Sequence, residues 1–233
     1  MMCGIFGYIG NLNAIEILEK GLKNLLYRGY DSYGFAVFNE KEILSYKKSG
    51  SFENLEENVK KSLKGKIGIA HTRWATKGEV DEKNAHPHFG CRMKYRDGIY
   101  QSDIAIVHNG QITNYLKIRS LLEDRGYHLL TENDSELIVH FIAWKLRQGF
   151  SLSEALHASV NELDGPFAYI ISTPTELGMA RDKLGLRPLV VGEYDGTFIA
   201  ASEEIAVRKA LPKASIHYLK PGGILVWKLK KKQ

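Results

Sequence analysis

The sequence predicts an α+β domain built in layers around antiparallel sheets. Two observations carry this. Strand-like runs in the second half follow one another through tight turns, notably Asp195-Gly196, and successive hairpins pair antiparallel. Helical periodicities are grouped between two strand-rich halves, which fits segregated helices and strands better than alternating βαβ units.

Taken in order, Ile5, Gly7 and Ile9 predict a short strand straight from the N-terminus. Apolar residues at 15, 18, 22, 25 and 26 place an amphipathic helix over 13–27. Residues 35–38 and 42–48 read as a hairpin across Asn39-Glu40-Lys41. Phe52, Leu55, Val59 and Leu63 mark a further helix, followed by a strand into His71. Helices are expected over 115–125, 134–148 and 152–162, with Asp134 and Ser151 as caps of the last two. From Pro166 onward, 167–172, 177–181, 189–192, 198–202 and 224–229 read as short strands. No repeat, linker or low-complexity stretch interrupts them. Residues 1–233 therefore read as one domain, with 228–233 a basic tail.

Composition narrows the class. With 44% hydrophobic and 25% charged residues, the chain is neither disordered nor fibrous. No apolar run approaches the about 18 residues of a membrane span. The N-terminus lacks the basic and apolar regions of a secretory signal, so none is expected. The formal net charge is +5, but Lys228, Lys230, Lys231 and Lys232 supply four of those charges. The body is nearly neutral, so neither nucleic acid nor a membrane is an expected partner. Two cysteines, Cys3 and Cys91, are too few for a disulfide framework, which points to a reducing, cytoplasmic setting.

Cys3 is the first residue with chemical content. A lone cysteine is usually a small buried hydrophobe. Here it precedes Gly4, and with Met1 and Met2 removed it would carry both a thiol and a free α-amine. Such an amine, with a reference pKa of about 7.7–8.0, can serve as the base for its own thiol. Polar blocks lie beside predicted strand ends: Arg28-Gly29-Tyr30-Asp31-Ser32, His71-Thr72-Arg73-Trp74-Ala75-Thr76, Asn84-Ala85-His86-Pro87-His88, His108-Asn109-Gly110 and Thr131-Glu132-Asn133-Asp134. Each has a plainer reading: Arg28-Gly29 as a helix stop, Asn109-Gly110 as a turn, Asp134 as a cap. His86-Pro87-His88 lacks a partner at zinc-ligand spacing, so no metal is expected.

Together with Cys-Gly-Ile-Phe-Gly at 3–7, these ordered blocks resemble the class II glutamine amidotransferases, the N-terminal-nucleophile glutaminases. The resemblance runs from Cys3 to at least Ser202. It implies a four-layer αββα sandwich of antiparallel sheets, hydrolysis of glutamine to glutamate and ammonia, and no cofactor. It makes Cys3 the nucleophile, and gives the oxyanion hole to the Asn109 side-chain amide and the Gly110 N–H. Arg28 and Gly29 match positions that hold the N-terminal residue. Arg73 matches the clamp on the α-carboxylate of glutamine, Asp134 the acceptor of its α-ammonium, and Trp74 and Thr76 line the same pocket.

Two departures concern the acceptor of the ammonia. Lys77 stands where the sugar-phosphate branch commonly has histidine. The run Arg181-Asp182-Lys183-Leu184-Gly185-Leu186-Arg187-Pro188-Leu189 looks more like glutamate synthase or amidophosphoribosyltransferase, whereas the front half looks like glucosamine-6-phosphate synthase. The expectation is a glutaminase subunit that feeds a separate synthase subunit, with glutamate synthase ranked first. Competing readings are a non-catalytic glutamine-binding regulatory subunit and an amidase for another amide. The joint presence of Cys3, Arg73, Asn109, Gly110 and Asp134 weighs against both.

Overall fold

The computed structural model describes residues 2–39, 42–74, 81–90, 102–131 and 133–229. Its first half comprises β1 (Gly4–Ile9), α1 (Ala14–Lys23), β2 (Ser32–Phe38), β3 (Ile43–Ser49), α2 (Glu57–Ser62), β4 (Ile67–Arg73), β5 (His88–Gly90) and β6 (Ile104–Gly110). There follow α3 (Tyr115–Glu123), α4 (Asp134–Arg147), α5 (Leu152–Glu162), β7 (Phe167–Ser172) and β8 (Glu176–Arg181). The chain continues through β9 (Val190–Tyr194), β10 (Thr197–Ala201), α6 (Glu204–Ala210), β11 (Ser215–Tyr218) and β12 (Ile224–Lys228).

Side chains of β1 alternate between two apolar layers, as the pleat requires. Phe6 and Tyr8 face α1, while Ile5 and Ile9 face a second sheet. The first sheet runs β11-β9-β10-β1-β4-β2-β3 and the second β12-β8-β7-β6-β5, every pairing antiparallel. Helices α1 and α6 cover the outer face of the first sheet. Helices α3, α4 and α5 cover the second, through a core of Ile104, Ile106, Phe141, Leu156 and Phe167 among others. Between the sheets lies a third apolar layer that includes Ile5, Ile69, Val107, Ile170 and Met179. This is a four-layer αββα sandwich. No helix among the described residues is long and apolar enough to cross a membrane.

Close packing explains two glycines. A Cβ at Gly21 on α1 would run into the Phe6 ring, and one at Gly7 would come 2.7 Å from Ile170 Cγ2 of the facing sheet. Both are places where a helix or a sheet approaches a strand too closely for any side chain.

Several elements differ from the sequence reading. The helix expected from Phe52 to Leu63 forms only over α2. Phe52 and Leu55 are buried from non-helical backbone, with the Phe52 ring 5.0 Å from Tyr33 and 5.4 Å from Phe35. Asp134 does not cap α4. Asn133, with extended backbone, accepts the Ser135 N–H at 3.0 Å, and Asp134 is the first helical residue. Ser151 does cap α5, in a reciprocal capping box with Glu154. The short elements β5, α6 and β11 carried no expectation. The turn at Glu40-Lys41 lies outside the described residues.

Candidate active site

Strand register assembles the site. Gly4 pairs with Thr72 across β1 and β4, so Arg73 emerges beside Cys3. Gly110 pairs with Phe167 at the start of β7, which brings the end of β6 to the same edge of the sandwich. The first turn of α4 closes over that edge. The result is a cavity of about 130 Å³ lined by Cys3, Arg73, Trp74, Gly110 and Asp134 together with His108.

Cys3 is held on three sides. Its backbone N–H donates to Asn109 Oδ1 at 3.1 Å, and Arg28 Nε donates to its carbonyl oxygen at 3.0 Å. Its thiol lies 3.7 Å from the Trp74 carbonyl oxygen. Arg28 is itself buried and ion-paired with Glu203. Gly29 is pressed on the chain beyond β4: a Cβ there would come 2.6 Å from Trp74 N. Arg28 and Gly29 thus close one wall around Cys3.

The same contact orients Asn109. A backbone N–H only donates, so the amide oxygen must face Cys3 and Nδ2 must face away. Asn109 is 1% exposed and its Nδ2 has no hydrogen-bond partner among the described residues. An unsatisfied buried donor costs about 1–3 kcal/mol, so this side chain is set up for an incoming acceptor. At Gly110 φ is +155°, and a Cβ would run into the Pro166 carbonyl oxygen, so only glycine fits.

Charges sit at the other end. Asp134 Oδ2 accepts from Ile112 N at 2.8 Å. Arg73 is 3% exposed; burial lowers its affinity for the proton, but a guanidinium stays charged in proteins. Trp74 meets the Tyr30 ring edge-on at 5.0 Å. Burial also pushes the Cys3 thiol upward, only partly offset by Arg73 and Arg28. The thiol therefore rests protonated and needs a base.

The structure brings together Cys3, Arg28, Gly29, Arg73, Trp74, Asn109, Gly110 and Asp134. Thr76, Lys77 and Cys91 lie outside the described residues. Sequence reasoning assigned no role to Glu203, to Ser135, or to His71, His86, His88 and His108. These four histidines are 0–4% exposed. The His71 and His86 rings stack at 3.9 Å, and His88 meets His86 edge-on at 4.7 Å. Among the described residues no group of side chains could hold a metal ion.

Burial holds the ring pKa of His71 and His88 down to about 3 and that of His86 well below the ordinary range. Unfolded, each binds a proton near pH 6.5. The unfolded state therefore binds more protons between pH 6.5 and 3, and stability falls as pH falls through that window. Three such groups amount to about 4 kcal/mol per pH unit, against a total stability of about 5–15 kcal/mol. Circular dichroism is expected to show unfolding between about pH 5 and pH 4, with uptake of about three protons. A native spectrum at pH 3.5 would mean that the histidines are not buried and neutral.

Comparison with known proteins identifies the family. A family model described as a glutamine amidotransferase domain matches residues 97–209. A protein of Methanothermobacter thermautotrophicus, named provisionally as a glutamine amidotransferase, is 45% identical over 72% of this chain and 52% of its own length. A glutamine–fructose-6-phosphate aminotransferase (isomerizing) of Thermosynechococcus vestitus is 40% identical over 97% of this chain and 36% of its own. Among solved structures, the glutamine phosphoribosylpyrophosphate amidotransferase of B. subtilis superposes with a TM-score of 0.80 at 28% identity, covering 99% of this chain and 50% of that one. The chain spans about a third to a half of the length of the curated relatives it matches. With its layered fold, Cys3 just ahead of β1 and the Asn109–Gly110 strand end, the chain belongs to the class II glutamine amidotransferase domain family.

Proposed function

We propose that this chain hydrolyses the side-chain amide of glutamine to glutamate and ammonia, and that the ammonia passes to a separate synthase subunit. The observation that carries this is the Cys3–Asn109 contact, which leaves the buried Asn109 amide N–H without a partner among the described residues. With Met1 and Met2 removed, the Cys3 α-amine takes the thiol proton. The sulfur attacks the amide carbon, and the oxyanion is met by Asn109 Nδ2 and the Gly110 N–H. Collapse expels ammonia with the proton held by the amine, leaving a thioester. Water, deprotonated by the same amine, attacks the thioester through a second oxyanion and releases glutamate. Arg73 pairs with the α-carboxylate and Asp134 with the α-ammonium. Arg28 and Gly29 hold Cys3, and Trp74 completes the wall.

For the acceptor, the run Arg181–Leu189 suggested glutamate synthase. A hexose phosphate is favoured by the 40% identical aminotransferase, whose name includes fructose 6-phosphate. Ammonia freed into water at neutral pH is mostly protonated and no longer nucleophilic. A glutaminase that feeds a synthase is therefore expected to be slow alone and faster with its partner and that partner's ligand. Proteins retained by the chain from its source cell should be added to a glutaminase assay with fructose 6-phosphate or 2-oxoglutarate. Acceleration of severalfold or more by one ligand identifies the branch. No acceleration by any retained protein would contradict the subunit reading.

A further inference from the structure

One donor in the cavity is not used by the mechanism above. His108 lies on β6 beside Asn109, is 3% exposed and lines the cavity, and its Nε2 has no hydrogen-bond partner among the described residues. Its Nε2 packs close to Gly110, where a Cβ would come 2.8 Å from it. Whether Nε2 carries a proton is decided by a chain of contacts that starts at the backbone.

The His108 backbone N–H reaches His86 Nδ1 at 3.4 Å. A backbone N–H can only donate, so Nδ1 of His86 is the acceptor. The neutral ring then carries its proton on Nε2, which lies 3.2 Å from Ser135 Oγ. Ser135 Oγ accepts a hydrogen bond from that N–H and has its own hydrogen left to donate. His108 Nδ1, at 2.9 Å, accepts it. Among the described residues the Ser135 hydroxyl hydrogen meets no other acceptor, so it goes to His108 Nδ1 and His108 holds its own proton on Nε2. Asp134 Oδ1 is 3.6 Å from His108 Nδ1, too far to impose the other tautomer by a direct bond. The first ring of the relay is fixed in turn: Lys47 Nζ donates to the carbonyls of Ala85 and Pro87, the residues on either side of His86.

We infer that His86, Ser135 and His108 form a directed hydrogen-bond relay that presents the His108 Nε2–H as a further donor to the α-carboxylate of bound glutamine. The proposal rests on the glutaminase reading and deepens it. Near Asp134 the substrate offers an ammonium, which only donates, and a carboxylate, which only accepts; a fixed N–H can serve only the second. Arg73 supplies charge to that carboxylate, and His108 supplies direction. His86 and Ser135 are positioning residues that act through His108.

The test compares two amides, glutamine and 4-aminobutanamide, the same molecule without the α-carboxylate. His108→Phe keeps the ring shape and removes the donor. It should lower kcat/KM for glutamine by about 10- to 100-fold, the range for a hydrogen bond to a charged group, and lower that for 4-aminobutanamide less than about twofold. His108→Gln, whose amide N–H can occupy the Nε2 position, should recover part of the loss. Ser135→Ala should show the same selectivity with a smaller loss. Equal losses on both amides would reduce His108 to a packing role and overturn the inference, as would no loss on glutamine. Independently of activity, nitrogen NMR of the imidazoles at pH 7 should find His86 and His108 both as Nε2–H tautomers. A Nδ1–H tautomer at His108 would overturn the relay. Wild-type protein that releases no ammonia from glutamine would instead sink the glutaminase reading and the carboxylate contact with it, while the tautomer spectrum still decides the relay.

Discussion

Cys3→Ala is expected to abolish ammonia release from glutamine while leaving the fold in place. In the proposed mechanism the thiol is the group that forms the acyl intermediate. Removal of the nucleophile in comparable acyl-transfer enzymes costs about 10⁶-fold in kcat, so residual turnover should fall below detection. The structural cost is small. Cys3 precedes β1, it is only half-buried, and its backbone contacts to Asn109 and Arg28 do not involve the side chain. Thermal denaturation should shift by no more than a few degrees. Wild-type turnover in Cys3→Ala would end the nucleophile assignment.

Asn109→Ala should lower kcat by about 10²–10³-fold, the usual cost of one oxyanion-hole donor. Alanine alone leaves an ambiguity, because Asn109 also accepts the Cys3 N–H and its loss could let the nucleophile wander. Asn109→Asp separates the two roles. Aspartate keeps an acceptor towards Cys3 but has no N–H to offer and adds a negative charge where an oxyanion develops. It should be at least as damaging as alanine. An aspartate variant that keeps most of its activity would show that Asn109 positions Cys3 and does not stabilise the oxyanion.

Much of this was legible in the chain because the relevant signals are local. Period-2 alternation in β1 and the turn between β9 and β10 arise from neighbouring residues, and the capping box of α5 needs only Ser151 and Glu154. Where the signal was not local, the reading went astray. The spacing of Phe52, Leu55, Val59 and Leu63 imitates a helix, yet Phe52 and Leu55 are spaced by what they touch on β2, not by a helical turn. Adjacent polar residues left the cap of α4 ambiguous between Asn133 and Asp134, and backbone conformation decided for Asn133. Hairpins imply antiparallel sheets, but the stacking of two sheets between helices came from family resemblance alone.

The candidate site divides in the same way. Arg73, Asn109, Gly110 and Asp134 stood in recognisable blocks. Glu203 could not be linked to Arg28, because 175 residues separate them and only the antiparallel neighbours of β1 bring them together. The histidines stood in plain view, but only the fold shows that they share one buried cluster at the cavity.

The central claim is that Cys3 acts as a free N-terminal nucleophile, and one mass measurement tests it directly. Active protein should be incubated with a glutamine-like electrophile such as diazo-oxo-norleucine, then weighed intact and mapped by peptide. The account predicts one adduct per chain, on Cys3, in a chain whose first residue is Cys3. An α-amine blocked by Met2 could not act as the base, so fully active protein that retains Met2, or an adduct on Cys91 in place of Cys3, would contradict it.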